Sequence, residues 1–200
     1  MPFSQADKDH ISRAIQDKYQ AVAQSPAGRF RYPTGQDGLR AQRYPGQLLS
    51  RLPDDVLQWF CGVGNPFSMH PVAPGENVLD IGCGAGVDTL LAALQAGPLG
   101  SATGLEYTRP MLERALANLR ASGLCNASFR QGSAEQLPFG DACFDVVISS
   151  GVFNLVVDKE KALAEALRVL KPGGRLQVAD QILVGPPPAD HFAAVTSWFT

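Results

Sequence analysis

The chain has 200 residues, 45% of them hydrophobic and 18% charged, with a formal net charge of −2. That is long enough for a domain with a sizeable core, and the balance of 17 Lys and Arg against 19 Asp and Glu gives no reason to expect a nucleic-acid partner. Met1-Pro2-Phe3-Ser4 begins no charged and apolar signal sequence, and the longest apolar stretch, Val146 to Val157, is too short to span a bilayer, so the expected location is cytoplasmic with no membrane partner.

Residues 1–76 read as an N-terminal helical cap. Ser4 is placed to cap a helix whose Ile11, Ile15, Lys18 or Tyr19, and Val22 fall on one face, ended by Pro26-Ala27-Gly28. The basic and aromatic alternation Arg29-Phe30-Arg31-Tyr32 fits a solvated edge with inward aromatics better than a flap over a substrate. Tyr44 to Leu52 and Asp54 to Phe60 read as short helices divided by Pro53, leading into Gly64-Asn65-Pro66.

From Asn77 the pattern changes. Val78, Leu79, Asp80 and Ile81 form an apolar strand that stops at Gly82, Gly84 and Gly86, and Val87-Asp88-Thr89-Leu90-Leu91 then starts a helical pattern. Glycines belong there because the turn needs backbone angles that a Cβ forbids and because a ligand must approach the main chain. A dinucleotide fingerprint would place its third glycine at Val87, so the spacing is wrong for NAD. Asp80, at the carboxyl end of the strand, would repel a pyrophosphate and attract an ammonium or sulfonium group. A second strand ends at Glu106, an acid placed to accept hydrogen bonds from ribose hydroxyls.

The alternation continues. The helix from Val87 has Leu90, Leu91 and Leu94 on its apolar face and closes at Gly97-Pro98. Thr108 caps a helix carrying Leu112, Ala115, Leu116 and Leu119, which ends at Gly123. Strands follow at Ala127 to Gln131 and from Phe144 to Ser149. Asp158 caps a helix expected to bury Leu163, Ala166, Leu167 and Leu170; Lys171-Pro172-Gly173-Gly174 then turns the chain into a strand from about Arg175 to Val184. The fold expected is α/β, a doubly wound and mainly parallel sheet over residues 77–200. Cys61, Cys83, Cys125 and Cys143 form no close pair, so neither a metal site nor a disulfide framework is expected.

The motif Asp80-x-Gly82-x-Gly84-x-Gly86, followed by the strand ending at Glu106, resembles the class I methyltransferases that use S-adenosylmethionine. Gly64-Asn65-Pro66, Leu137-Pro138-Phe139, Asn154-Leu155 and Leu170-Lys171-Pro172-Gly173-Gly174 narrow the resemblance to the arsenite methyltransferase-like branch. It implies a Rossmann-like strand order 3-2-1-4-5, with Asp80, Gly82, Cys83, Gly84 and Gly86 at the methionine end of the cofactor. It further implies Glu106 at the ribose, Met111 on the adenine, Ser133, Ala134 and Glu135 around the adenine edge, and Ser149 beside the switch point.

The branch binds trivalent arsenic through thiolates, and Gly151 stands where a cysteine is expected. The expected acceptor is therefore another small molecule, beside Gly151, Asn154 and Asn65, with Asn154 and His70 as candidate catalytic residues and His10 and His191 less well placed. An arsenite enzyme with a thiolate site rebuilt around Cys61, or a cofactor-binding module without transferase activity, are the alternatives. Members of the fold add two further strands after the fifth. Their absence here implies either a fragment of a longer protein or a dimer that covers the last strand's edge, so both monomer and dimer remain open.

Overall fold

Ser4 opens the first helix, α1 (Gln5–Val22), in the computed structural model, which describes residues 3–182 together with 184, 185, 190 and 195. The Ser4 hydroxyl accepts from the Asp7 N–H and the Asp7 carboxylate accepts from the Ser4 N–H, so two otherwise orphaned donors are satisfied reciprocally. Three short helices follow: α2 (Gly35–Ala41), α3 (Gly46–Leu49) and α4 (Asp54–Leu57). The two helices expected here are shorter than their apolar patterns: Pro45 delays the start of the first to Gly46, and each closes within little more than a turn. Helix α2 was not expected, since Gly35 and Gly38 lower helix propensity; a Cβ on Gly38 would meet the Pro33 carbonyl at 2.5 Å, so close packing selects glycine. Arg29 and Arg31 are exposed while the Phe30 and Tyr32 rings, 5.0 Å apart, are half-buried, which is the solvated-edge arrangement.

The remaining elements are β1 (Asn77–Ile81), α5 (Val87–Ala96), β2 (Ser101–Glu106), α6 (Arg109–Ser122), β3 (Ala127–Gln131), β4 (Phe144–Ser150), α7 (Lys159–Val169) and β5 (Leu170–Ala179). The sheet order is β3-β2-β1-β4-β5 with every neighbouring pair parallel. This is the doubly wound, Rossmann-like arrangement expected from the alternation. Strand β1 lies between β2 and β4, with Asp80 opposite Gly104 and Ile148, so the order reverses beside the glycine turn.

Alternate side chains of the central strands enter two cores. Val78, Val146 and Ile148 pack with α5 and with Leu39, Leu49, Leu52 and Val56 of the N-terminal segment, whereas Leu79, Ile81 and Val147 pack with α7. Helix α5 is therefore buried nearly all round, not on one face, because the sheet covers one side and the N-terminal segment the other.

Helix α7 differs from expectation in its buried face. Ala162, Ala166 and Val169 are fully buried, while Leu163 and Leu167 are 41% and 62% exposed. The small residues let the helix approach the sheet, and this turns the neighbouring leucine stripe outward. Strand β5 also begins earlier and ends sooner than expected. Lys171-Pro172-Gly173-Gly174 is an irregular bulge inside it, between the pairs Phe144–Leu170 and Val146–Arg175, and Lys171 is held there by Asp145 at 2.8 Å. Ile182 and Val184 lie beyond the strand and are exposed. His191, and the short helical pattern that the sequence also shows over residues 191–199, fall outside the described residues, apart from residue 195. Among the described residues, no helix is long and apolar enough to cross a membrane.

Candidate functional site: an acidic cavity over the glycine turn

Gly82, Gly84 and Gly86 all have positive φ, at 71°, 54° and 84°, values that make a side chain there strained. Their amides are spent inside the protein. Gly82 and Cys83 donate to the Leu105 carbonyl, Gly86 donates to the Cys83 carbonyl, and Gly84 donates to Glu106 Oε2 at 2.9 Å. A loop that cradles a pyrophosphate keeps such N–H groups for the ligand; these are already used.

Glu106 braces the turn from the end of β2. Its other oxygen, Oε1, accepts from the Thr108 N–H at 2.8 Å and the Thr108 hydroxyl at 2.7 Å. Thr108 does stand at the N-cap of α6, but its hydroxyl serves Glu106 and not the helix. Burial pushes the Glu106 carboxyl up, and these hydrogen bonds oppose the shift.

Above the turn lies a cavity whose wall, among the described residues, carries Asp80, Asp88, Glu106 and Glu135 and no lysine, arginine or histidine. Asp80 accepts from the Thr89 hydroxyl at 2.7 Å, and burial, with the Glu106 charge adding to it, raises its carboxyl to about 7. Asp88 accepts from the Tyr44 hydroxyl at 2.7 Å and is raised well above the usual carboxylate range, first by burial and then by the Asp80 charge. Burial likewise pushes the Cys61 thiol up to about 12 and the Cys83 thiol well above its ordinary value, with nearby carboxylates adding to both, so both stay protonated at neutral pH.

The N-terminal segment supplies the opposite wall. Ser12, Ile15 and Tyr19 come from α1, and Trp59, Phe60, Cys61 and Gly62 from the stretch after α4. Ser12 Oγ lies 3.0 Å from the Tyr107 hydroxyl, which joins α1 to the loop after β2. The Arg114 guanidinium stacks on the Trp59 ring at 3.7 Å from its centroid, fixing that ring at the cavity edge. Ser150, at the end of β4, accepts from the Val63 and Gly64 N–H groups and donates to the Gly64 carbonyl.

Of the residues expected at a site, Asp80, Gly82, Cys83, Gly84, Glu106, Ser133, Ala134, Glu135 and Gly151 line this one cavity. Six others are placed elsewhere, each for a structural reason. Gly86 is the N-cap of α5, where a Cβ would meet the Phe129 ring. Met111 is fully buried behind the turn, its Cε 3.3 Å from where a Gly84 Cβ would stand. The Ser149 hydroxyl is buried and donates to the Ile81 carbonyl at 3.0 Å. Asn65 forms a local turn, its Oδ1 accepting from the Phe67 N–H at 2.9 Å. The Asn154 N–H donates to Asp180 and its carbonyl accepts from Lys159, off the cavity wall. His70 is exposed and away from the wall.

Asp88, Tyr19, Trp59 and Phe60 line the cavity without having been expected there. Asp88 carried a readable signal, a charge inside an otherwise apolar helical pattern; the cap residues carried none, because their place depends on packing between distant segments.

Comparison with known proteins supplies independent findings. The family described as a methyltransferase domain matches residues 73–199. An arsenite methyltransferase of Halobacterium salinarum is 41% identical over 129 residues, covering 64% of this chain and 33% of that protein. A demethylmenaquinone methyltransferase of Listeria welshimeri is 40% identical over 110 residues, covering 54% of this chain and 46% of its own length. Among solved structures, an arsenic(III) S-adenosylmethionine methyltransferase from Chlamydomonas reinhardtii superposes with a TM-score of 0.62 at 39% identity, over 68% of this chain and 48% of that one. The chain thus spans between a third and a half of the length of these relatives.

Proposed function

Because the chain belongs to the methyltransferase-domain family, in the arsenite methyltransferase-like branch of its class I members, we propose that it transfers a methyl group from S-adenosylmethionine to a small organic acceptor. The observation that carries the reading is the cavity wall, whose described residues set four carboxylates and no basic side chain around the glycine turn. Such a wall favours a cationic ligand and disfavours a phosphorylated one. The residues fit the cofactor, since the amides of Gly82, Cys83, Gly84 and Gly86 are already satisfied and the Glu106 carboxylate stands on the wall at the end of β2.

S-adenosylmethionine supplies a methyl group on a good leaving group; the protein's part is to hold the partners in line and exclude water. In this reading Asp80, Gly82, Cys83 and Gly84 hold the amino-acid end, Glu106 the ribose, and Ser133, Ala134 and Glu135 the adenine edge. The acceptor sits between Gly151 and Val152 on one side and Trp59, Phe60 and Cys61 on the other, a largely apolar and aromatic seat. Asn154 and His70, which the sequence suggested for catalysis, are off this wall and have no part in the proposal.

The absence of a thiolate set supports an organic acceptor over arsenite. Only Cys61 and Cys83 reach the wall, both held protonated by burial, and Gly151 offers no ligand. The aromatic seat suits a flat ring of the kind that the Listeria relative's name implies. Incubation with methyl-labelled S-adenosylmethionine and either a metabolite extract or arsenite with a thiol reductant tests both levels. Label should enter organic products and leave arsenite nearly untouched. Arsenite turnover equal to that on any organic acceptor would overturn the acceptor assignment, and no transfer in either arm would overturn the activity.

A further inference from the structure

Asp88 is a buried acid for which the scheme above has no role. It stands in the first turn of α5, is only 8% exposed, and still reaches the cavity wall. A buried carboxylate is costly without a cation or several donors, yet Asp88 accepts from a neutral hydroxyl, that of Tyr44 at 2.7 Å. Tyr44 comes from the N-terminal segment, where its oxygen is also 3.2 Å from the Gly64 carbonyl. A phenol has one proton to give, and the shorter contact to the carboxylate is the stronger. Asp80 is in the same situation, with Thr89 as its hydrogen-bonding partner.

The N-terminus of α5 lends the pair partial positive charge, but the ionisable groups around it add negative charge or none. Asp80 is faced by Glu106 from β2, Cys83 from the glycine turn and Tyr44 from ahead of α3. Asp88 is faced by Asp80 from β1, Tyr44, and Cys61 from after α4. Two buried carboxylates on one wall, held by hydroxyls and one backbone N–H and with no cation among the described residues of that wall, cannot both hold charge cheaply.

We propose that Asp80 and Asp88 form a two-carboxylate seat that keeps a proton until the cofactor's cationic end arrives and then releases it to solvent. Asp88, oriented by Tyr44, thereby becomes a specificity residue for the sulfonium form of the cofactor over the neutral thioether left after transfer. The inference rests on S-adenosylmethionine being the ligand. It gives the seat two uses: it draws in the charged cofactor, and it weakens its hold once the methyl group and the sulfonium charge have gone.

Calorimetry of S-adenosylmethionine and S-adenosylhomocysteine near neutral pH, in buffers of differing ionisation heat, counts the protons released. The sulfonium ligand should release on the order of one proton and the thioether markedly less. Asp88→Asn should weaken the sulfonium ligand by about ten- to a hundredfold and the thioether by less than about threefold, with a smaller proton count. Tyr44→Phe keeps the ring that packs edge-on against Phe60 and Phe67; it should lower sulfonium affinity while the proton count is kept. Should Asp88→Asn fail to fold by circular dichroism, the wild-type proton difference and Tyr44→Phe decide the matter. Equal proton counts for the two ligands, or an unchanged affinity ratio in Asp88→Asn, would overturn the seat while leaving the methyltransferase reading intact. Failure of both ligands to bind would overturn both.

Discussion

Glu106 joins ligand chemistry to loop architecture through one carboxylate, since the oxygen that accepts from Gly84 holds the turn and the other is fixed by Thr108. Glu106→Gln puts an amide N–H where an N–H or O–H must be accepted, so cofactor affinity should fall by about 1.5 to 3 kcal/mol, read by calorimetry; unchanged affinity would remove Glu106 from the site. Asp80 gives a pH-dependent stability. Its carboxyl is raised to about 7 in the folded protein, so the native state keeps a proton that the unfolded chain gives up near its ordinary value of about 4. Wild-type stability should therefore decline as pH rises between those values and level off above. Asp80→Asn lacks this titration, so its melting temperature should gain on the wild type across that window; parallel melting curves from pH 4 to 8 would contradict it. Asp80, Glu106 and the glycines were legible in the sequence because each ends a strand or makes a turn, where position fixes direction. The Asn65 carboxamide accepts from the Phe67 N–H, the Ser149 hydroxyl donates to the Ile81 carbonyl, and Asn154 lies off the wall with its backbone N–H on Asp180; sequence position does not show which way a side chain turns.

Helix α7 shows what periodicity can and cannot settle. Leu163, Leu167 and Leu170 repeat at helical spacing, and so do Ala162, Ala166 and Val169 one position earlier. The sequence pattern puts Leu163, Ala166, Leu167 and Leu170 inside. Ala166 is buried and Leu170 packs against the core, while Leu163 and Leu167 give way to Ala162 and Val169, smaller residues that let the helix lie close to the sheet. Ala166→Leu should thus cost about 1 to 3 kcal/mol through overpacking, whereas Leu167→Gln should change stability by less than about 0.5 kcal/mol in chemical denaturation. The reverse ranking would restore the face read from the sequence. The same limit applied to β5, where Pro172 and the two glycines looked like a turn and instead form a bulge that Lys171 pins to Asp145.

The molecule divides its site between two parts of different legibility. The sheet, its strand order and the glycine turn follow from alternating apolar periods that any single chain displays. The N-terminal wall does not, since the meeting of Ser12 with Tyr107 and of Trp59 with Arg114 arises from long-range packing. If that wall closes over the cofactor, amide exchange in α1 and in residues 59–64 should slow by about tenfold or more when S-adenosylmethionine is added. Protection confined to the glycine turn would show that the cap takes no part.

The spent amides of the turn and the acidic wall act together on a problem of selection in a crowded solution. Adenosine is shared by the methyl donor and by ATP, so shape at the adenine and ribose cannot tell them apart. Here a triphosphate finds the amides of Gly82, Cys83, Gly84 and Gly86 already taken and, among the described residues of the wall, Asp80, Asp88, Glu106 and Glu135 but no lysine, arginine or histidine. Electrostatic repulsion would turn the nucleotide away before any pocket contact was scored, leaving the donor to enter without competition from the energy currency of the cell.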